Sequence, residues 1–367
     1  MKLRQRLRQT PPSVSGTFRH DPLIRLADLA ISGLWTVSGA VVRKPVSAIP
    51  EQVLPLSVAE RRVAAHNQDV VELRLVPADR PTLPRWHPGA HIDVHLPSGT
   101  VRQYSLCGDP AARDHYRIAV RRIPDGGGGS VEIHDRLPVG ATVTTLGPRN
   151  AFPFAVPGYG SPTRRVRFIA GGIGITPILP MLAVAERLGV DWSMSYVGRS
   201  RDSLPFLDEV AGFGPRVQIR TDDVHGVPSA HALLGDCPDG TAVYACGPAP
   251  LLATVRAALA GRDQVELHYE RFGAAPVLDG VAFEARLAAS GTTVPVAADE
   301  TLLHALTKAG AAAPYSCQQG FCGTCRTRVL AGDVDHRDTL LTAPERADQM
   351  LVCVSRSVAG TPLTLDL

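Results

Sequence analysis

Hydrophobic and polar residues follow three different spacings along this 367-residue chain, and each spacing predicts a different kind of structure. Between residues 22 and 42 the apolar positions recur at a helical spacing. After Pro50 they alternate with polar residues in short runs bounded by Pro and Gly, which is typical of an antiparallel barrel or sandwich. The pattern therefore predicts a helical N-terminal extension followed by an antiparallel β-barrel that ends near Phe154. Its clearest strands are residues 70–76, 91–97, 116–122 and 141–147.

From residue 164 the pattern changes to a strand, a Gly-containing turn and a helix. The strand of residues 166–170 leads through the turn Gly171-Gly-Ile-Gly-Ile-Thr-Pro177 into an apolar helix. Two further strands, residues 192–198 and 241–247, also lead into helical segments. This alternation predicts an α/β domain with a parallel sheet.

A loop rich in Gly, Ala and Pro, residues 272–280, precedes the final segment. There, residues 281–288 and 292–297 predict a hairpin, and Asp299 is expected to cap the helix that follows it. Length agrees with this division, because 367 residues suggest about two to four domains.

The charge pattern narrows the possible partners only slightly. The formal net charge is +3, and no basic stripe alternates with aromatic residues, so nucleic acid is not an expected partner. The first twenty residues are basic and contain no acid, and the apolar run of residues 29–42 is too short to span a bilayer. Residues 1–42 therefore predict either a helix packed on the protein or a peripheral contact with a membrane or partner.

Four cysteines near the C-terminus carry the most specific chemistry. Cys317, Cys322 and Cys325 have the spacing C-x4-C-x2-C, and Cys353 follows after a longer gap, which is the plant-type ligand set for a [2Fe-2S] cluster. A structural zinc site and ordinary buried thiols are the alternatives, but zinc sites usually pair two short C-x2-C elements. Because an iron–sulfur site favours a reducing compartment, we expect a cytoplasmic protein.

Two motifs in the predicted barrel suit a ligand that carries a phosphate. Arg102 and Tyr104 share one face of a strand and Ser105 follows them. Four glycines then lead to Ser130 and a helix start, where backbone N–H groups bind anions. The alternative is an ordinary strand and a flexible hairpin tip.

Three features of the predicted α/β domain suit a dinucleotide. The glycines of residues 171–177 come between a strand and a helix, as a pyrophosphate-binding turn does. Arg199 and Arg201 follow the next strand, where an acid would bind the ribose of NAD, so they favour a 2′-phosphate or are solvated charges. Cys246 ends a later strand at the carboxyl edge of the sheet, or is a buried small thiol.

The order of these motifs from residue 54 to the C-terminus resembles that of the phthalate dioxygenase reductase family, which includes the vanillate demethylase reductases. The resemblance implies an FMN-binding β-barrel domain at residues 51–157, an NAD(P)H-binding α/β domain at 158–272 and an α+β, β-grasp ferredoxin domain at 281–367. Residues 1–50 form an extension outside the resemblance.

The resemblance also implies roles for individual residues. Those expected at the flavin are Arg102, Tyr104, Ser105 and Leu106, then Ala119, Val120 and Arg121, then Gly128, Gly129 and Ser130, and finally Phe272. Those expected at the nicotinamide nucleotide are Gly171, Gly172, Gly174, Thr176, Cys246 and Gly247, joined by Arg199 and Arg201. FMN is expected rather than FAD, and NADH and NADPH stay open.

A nicotinamide gives two electrons as a hydride whereas the cluster accepts one, so a flavin between them is required. The chain is therefore expected to be a reductase that passes single electrons to an oxygenase, most often a Rieske enzyme acting on aromatic compounds. A haem monooxygenase, a desaturase or a redox-sensing role without turnover is the alternative. No catalytic acid or base is expected, and the twelve histidines are interpreted as structural or surface groups.

Overall fold

The computed structural model describes residues 22–23, 26–27, 53–67, 69–79, 82–124, 127–158, 162–273, 277–311, 313–315, 318–321 and 323–367. Pro22, Leu23, Leu26 and Ala27 are helical, as the N-terminal pattern predicts. The rest of the predicted extension, including all of the basic first twenty residues, lies outside the described residues. No helix in the described ranges combines the length and the apolar character needed to cross a bilayer.

The first sheet has six antiparallel strands in the order β4-β3-β6-β1-β2-β5. The alternating side chains of β1 bury Leu54, Leu56 and Val58 in its core. The bounds are β1 Val53–Ala65, β2 Val70–Pro77, β3 Ala90–His95, β4 Val101–Ser105, β5 Tyr116–Arg121 and β6 Thr142–Asn150, with helix α1, Gly129–Arg136, between β5 and β6.

The barrel that the sequence predicts does not close by strand pairing, because its six strands form an open sheet. β4 and β5 are its two edge strands and do not pair with each other as strands. Directly after β4, the Cys107 amide donates to the Arg117 carbonyl of β5 at 2.9 Å, and this bond links the two edges. The result is a strand-rich half-barrel.

The second sheet is parallel, as the sequence predicts, with strand order β11-β10-β7-β8-β9. Helices connect its strands, and their carboxyl ends meet at one edge. The elements are β7 Arg165–Gly171, α2 Ile175–Arg187, β8 Asp191–Gly198, α3 Leu207–Ala211, β9 Val217–Thr221, α4 Asp222–His225, α5 Ala230–Leu234, β10 Thr241–Cys246, α6 Ala249–Leu259 and β11 Val265–Glu270.

The third sheet has strand order β13-β12-β18-β14-β16, and the predicted hairpin is its β12–β13 pair. The helix cap differs from the expectation: the Thr301 hydroxyl, not Asp299, accepts the hydrogen bond from the His304 amide at 3.1 Å. Its elements are β12 Phe283–Leu287, β13 Thr293–Val296, α7 Leu302–Lys308, β14 Arg326–Ala331, β16 Gln349–Leu351 and β18 Leu363–Leu365, with β15 Val334–Asp335 paired to β17 Arg356–Ser357.

An ion-pair network around the buried carboxylate of Glu72 joins the first sheet to the second. Glu72 of β2 accepts from Arg117 of β5 at 2.7 Å and from Arg62 at 2.5 Å. Arg117 also donates to Glu209 of α3 at 2.8 Å and lies over the Phe206 ring. These carboxylates, with the Cys107 thiol beside the guanidinium, raise the pKa of Arg117 despite its burial. The network fixes α3 against strands β2 and β5.

We expect Glu72→Ala to lower the free energy of unfolding by about 2 kcal/mol, because partly buried Arg117 loses one of its two carboxylate partners and keeps only Glu209. Urea unfolding followed by Trp fluorescence measures the loss. Glu60→Ala is the matched control, since Glu60 is an exposed partner of Arg74 at 3.4 Å and its loss should cost less than about 1 kcal/mol. Equal effects of the two substitutions would contradict the role assigned to Glu72.

Candidate functional site

A cavity of about 350 Å³ lies where the three sheets approach one another. Strands β3, β4 and β5 line one side of it through His91, residues 102–105, Ala119 and Arg121. The end of β11 and the residues after it, 270–273, line another side. Residues 318, 319 and 321, between the predicted cluster ligands, complete it. The cavity therefore touches all three predicted cofactor-binding segments.

Several polar atoms in the lining of this cavity are buried without a hydrogen-bond partner among the described residues. They are His91 Nε2, Gln103 Nε2, Arg121 Nε, Glu270 Oε2, and Arg271 Nε and Nη1. Buried polar atoms are normally paired, so a group of unpaired ones around one cavity indicates a polar ligand. Donors and an acceptor around a space of this size fit a flavin ring system.

One end of the cavity is suited to a phosphate. Arg102 Nη2 donates to the Gly127 carbonyl at 2.9 Å and to the Tyr315 hydroxyl at 3.4 Å. Helix α1 begins beside it at Gly129, where an added Cβ would lie 2.7 Å from Arg102 Cγ. Glycine is required at that position by the close approach, and the helix start directs N–H groups toward an anion.

A second cavity, of about 560 Å³, lies at the carboxyl edge of the parallel sheet. The turn after β7 approaches the turn after β10 so closely that a Cβ on Gly174 would lie 2.3 Å from the Cys246 carbonyl oxygen. A Cβ on Gly171 would lie 2.7 Å from Pro248 Cδ. Helix α2 begins directly after this turn, so the glycines give a ligand access to backbone N–H groups at a helix start.

Charged side chains of both signs line the second cavity. Arg199 follows β8 and Asp222 follows β9, the neighbouring strand. Arg121 lines both cavities, and its pKa is lowered by burial and then by the charge of Arg199. Arg201 is exposed and outside the lining. An acidic side chain, absent after β8, thus follows β9 in the lining of the second cavity.

Glu270 and Cys246 lie side by side at the ends of β11 and β10. Burial raises the pKa of Glu270 to about 8, so the carboxyl is mostly protonated at neutral pH. Burial, with a further contribution from Glu270, also raises the pKa of the Cys246 thiol. Cys246 is fully buried and lines neither cavity, whereas Glu270 lines the first.

The cluster loop, defined as residues 317–325, wraps through left-handed backbone at Gln318, Gly320 and Gly323, with φ values of 57°, 78° and 80°. A Cβ on Gly320 would lie 2.7 Å from Val354 Cγ2, so the glycine is needed there. Cys317 and Cys322 lie outside the described residues. Cys325 and Cys353 are both buried, and the Val352 amide donates to the Cys325 carbonyl at 3.4 Å. This packing fits two neighbouring thiolate ligands.

The other predicted site residues divide between the two cavities and their walls. Tyr104, Ser105, Ala119, Ser130 and Thr176 line the first cavity, Gly172 and Gly247 line the second, and Phe272 lines both. Thr176 was expected at the nicotinamide but lies at the first cavity. Leu106 and Val120 are buried in the core of the first sheet. An added Cβ on Gly128 would have open space around it.

Sequence reasoning missed other lining residues, of which the most informative are His91, Glu270, Asp222 and Phe321. His91 is opposite Ser105 in the β3–β4 pairing, and Glu270 is level with Cys246 in the β10–β11 pairing. A correct prediction of strand order would have found both.

Comparisons with known proteins agree with this architecture. Residues 286–358 match the model of the 2Fe-2S iron-sulfur cluster binding domain. The chain is 43% identical to the phenoxybenzoate dioxygenase subunit beta of Ectopseudomonas oleovorans, over 85% of this chain and 98% of that protein.

Two solved structures are similar over most of this chain. Phthalate dioxygenase reductase, described as a modular structure for electron transfer from pyridine nucleotides to [2Fe-2S], is 33% identical with a TM-score of 0.63, and the match covers 86% of this chain and 98% of that one. An intact type IV self-sufficient cytochrome P450 monooxygenase is 39% identical with a TM-score of 0.64 over 86% of this chain. The present chain spans 41% of that protein.

With a flavin in the first cavity, we expect the rate of its reduction by a nicotinamide nucleotide to fall as pH rises, with a midpoint near pH 8, because ionised Glu270 would oppose the negative charge that the flavin gains with a hydride. Glu270→Gln should remove this fall, as stopped-flow absorbance measures. Glu266→Gln on the same strand is the control, since Glu266 is half-exposed and its pKa is lowered by hydrogen bonds from Thr163 and His268. A midpoint that persists in the Glu270 variant would contradict the assignment.

The raised pKa of Glu270 also makes the stability of the protein depend on pH. Its pKa is about 8 in the folded protein against 4.5 for an ordinary glutamate, so the folded state holds the proton more tightly. The contribution of this group to stability is therefore complete below about pH 4.5 and is lost as pH rises through about 8. Thermal unfolding over this range should show a smaller decline for Glu270→Gln than for the wild type.

Proposed function

Because this chain belongs to the phthalate dioxygenase reductase family, we propose that it takes electrons from NADH and passes them, through FMN and a [2Fe-2S] cluster, one at a time to an oxygenase. It is an oxidoreductase whose relatives combine flavin and [2Fe-2S] electron transfer. The single observation that carries the proposal is the first cavity, which is lined by the barrel strands, the end of β11 and the cluster loop together.

FMN is the flavin that we assign to the first cavity. Arg102, Tyr104 and Ser105 would hold it from β4, Ala119 and Arg121 from β5, and Ser130 from the start of α1. The position of Tyr315 favours FMN over FAD. Its ring lies against Arg102, with the guanidinium carbon 5.4 Å from the ring centroid. An adenylate extending past the phosphate, as in FAD, would compete with Tyr315 for that space.

NADH is the donor that we assign to the second cavity. Gly171, Gly172, Gly174 and Gly247 would form the cradle for its pyrophosphate. Asp222 supports NADH, because a carboxylate there accepts a hydrogen bond from a ribose hydroxyl and repels a 2′-phosphate. Arg199 is then free to pair with the pyrophosphate.

When bound, the flavin accepts the hydride as an electron pair and the cluster carries electrons singly onward. The chain supplies position and electrostatics for this exchange. Arg121, Ile173 and Phe272 line both cavities, so they bring the two ligands together and exclude water between them. Neutral Glu270 keeps negative charge away from the flavin. The four cysteines, Cys317, Cys322, Cys325 and Cys353, would hold the cluster.

A Rieske oxygenase acting on an aromatic compound is the acceptor that we propose. Plant-type clusters lie near about −400 mV and Rieske centres at roughly −150 to +300 mV, so the transfer is downhill. The name of the phenoxybenzoate relative supports an aromatic substrate. A haem monooxygenase is the second candidate, favoured by the similarity to the self-sufficient cytochrome P450.

The domain limits remain those of the sequence: an extension at residues 1–50, an FMN domain at 51–157, a nicotinamide domain at 158–272 and a β-grasp ferredoxin domain at 281–367. The three sheets, which begin at Val53, Arg165 and Phe283, support them. We place the protein in the cytoplasm on the redox argument alone. A peripheral contact through residues 1–42 stays a proposal that concerns mostly residues outside the described ranges.

Anaerobic titration of the purified protein with NADH tests the electron path. Absorbance of flavin and cluster should both bleach, and the reduced cluster should give an electron paramagnetic resonance signal. Addition of a purified Rieske oxygenase should then reoxidise the cluster. A protein that binds no flavin, or whose cluster stays oxidised, would refute the proposal.

We expect Asp222→Ser to raise the ratio of kcat/KM for NADPH over NADH by about tenfold or more, since the substitution removes a like charge worth about 1.4 kcal/mol or more beside the 2′-phosphate. Steady-state reduction of ferricyanide measures both donors. Asp223→Ser is the control, because Asp223 is exposed and outside the lining of the cavity. An unchanged ratio in the Asp222 variant would reject Asp222 as the discriminating residue.

A further inference from the structure

His91 is a buried imidazole in the wall of the first cavity. Only 4% of its surface is exposed, and its Nε2 has no hydrogen-bond partner among the described residues. It lies at the start of β3, opposite Ser105 in one neighbouring strand and Arg149 in the other. His95 on the same strand also has an unpaired Nε2 but lines neither cavity, whereas His91 lines the first cavity, where a ligand can accept a hydrogen bond from its Nε2.

The same imidazole contacts the cluster loop. Its ring meets the ring of Phe321 edge to face, with centroids 6.3 Å apart and planes inclined at 61°. Phe321 lies between Gly320 and Cys322. The loop is also attached elsewhere, because the Gln319 side chain donates to the Arg271 carbonyl and the Thr339 amide donates to the Gly320 carbonyl. Phe321 thus follows two anchored residues and contacts His91 on β3, the strand paired with β4, which carries Arg102, Tyr104 and Ser105.

We infer that His91 positions the flavin and the cluster loop relative to each other: its Nε2–H donates to the flavin, and its ring edge fixes Phe321. This inference rests on the proposed function, since it requires a flavin in the first cavity. In the step concerned, one electron leaves the reduced flavin and one enters the oxidised cluster, and the nicotinamide hydride supplies the pair. His91 therefore acts on electron transfer to the cluster through Phe321 and on the flavin potential through its hydrogen bond.

Two substitutions separate the two contacts. His91→Gln keeps a hydrogen-bond donor but loses the ring, whereas His91→Phe keeps a ring against Phe321 but loses the donor. His95→Gln is the matched control. His95 lies on the same face of β3 four residues on, also has an unpaired buried Nε2, and does not line the cavity.

The measurements use the complete holoprotein with its flavin content verified. Stopped-flow absorbance gives the rate of flavin reduction by NADH, rapid-freeze electron paramagnetic resonance gives the rate of cluster reduction, and anaerobic titration gives the midpoint potentials. We expect His91→Gln to slow cluster reduction about tenfold, because the loop is misplaced, with flavin reduction and flavin potential unchanged. We expect His91→Phe to lower the flavin potential, because a donor to the reduced ring is lost, with cluster reduction faster than in His91→Gln.

Phe321→Leu tests the contact from the other side. It should slow cluster reduction as His91→Gln does and leave the flavin potential unchanged. If all three variants retain wild-type rates and potentials, or lose only thermal stability, His91 is a packing residue and the inference is overturned. Failure of the proposed function gives a different result, because the wild-type protein itself would then lack flavin or would not reduce its cluster.

Discussion

The pairing of buried Glu72 with Arg117 is the interaction on which the junction between the first and second sheets depends. It connects strands β2 and β5 of the first sheet to Glu209 on helix α3 of the second. A hydrophobic core continues across the same junction, with Ala119 and Phe152 packed in one cluster with Phe168 and Tyr244. Because charge and packing fix the two sheets together, their cavities share the side chains of Arg121, Ile173 and Phe272 as a common wall.

The third sheet is held in a different way. Its hydrophobic core is separate from the others, and the cluster loop meets the first cavity through individual polar and aromatic contacts. Within the loop, Gln319 contacts Arg271 and Phe321 contacts His91, and just before the loop Tyr315 contacts Arg102. In the function proposed above, hydride transfer would benefit from the rigid junction of the first two sheets, whereas the cluster loop would be positioned by these few side chains.

Burial sets the charge of the first cavity. It lowers the pKa of His91 to about 4 and raises that of Glu270 to about 8, so both are mostly neutral at pH 7, for the same reason: a charged form loses its hydration. Arg102, Arg121 and Arg271 stay cationic. The lining as a whole is therefore positive, which suits a flavin phosphate and a ring that gains negative charge on reduction.

The sequence alone decided local features. Alternation predicted the antiparallel strands, the turn at Gly171 predicted the start of α2, and the cysteine spacing predicted the cluster loop. Each depends on residues close together in the chain. Asp222, Glu270 and His91 became visible only in the tertiary structure, because their roles depend on strand order and register. A side chain acquires its neighbours, its desolvation and its ligand only when strands distant in sequence are paired.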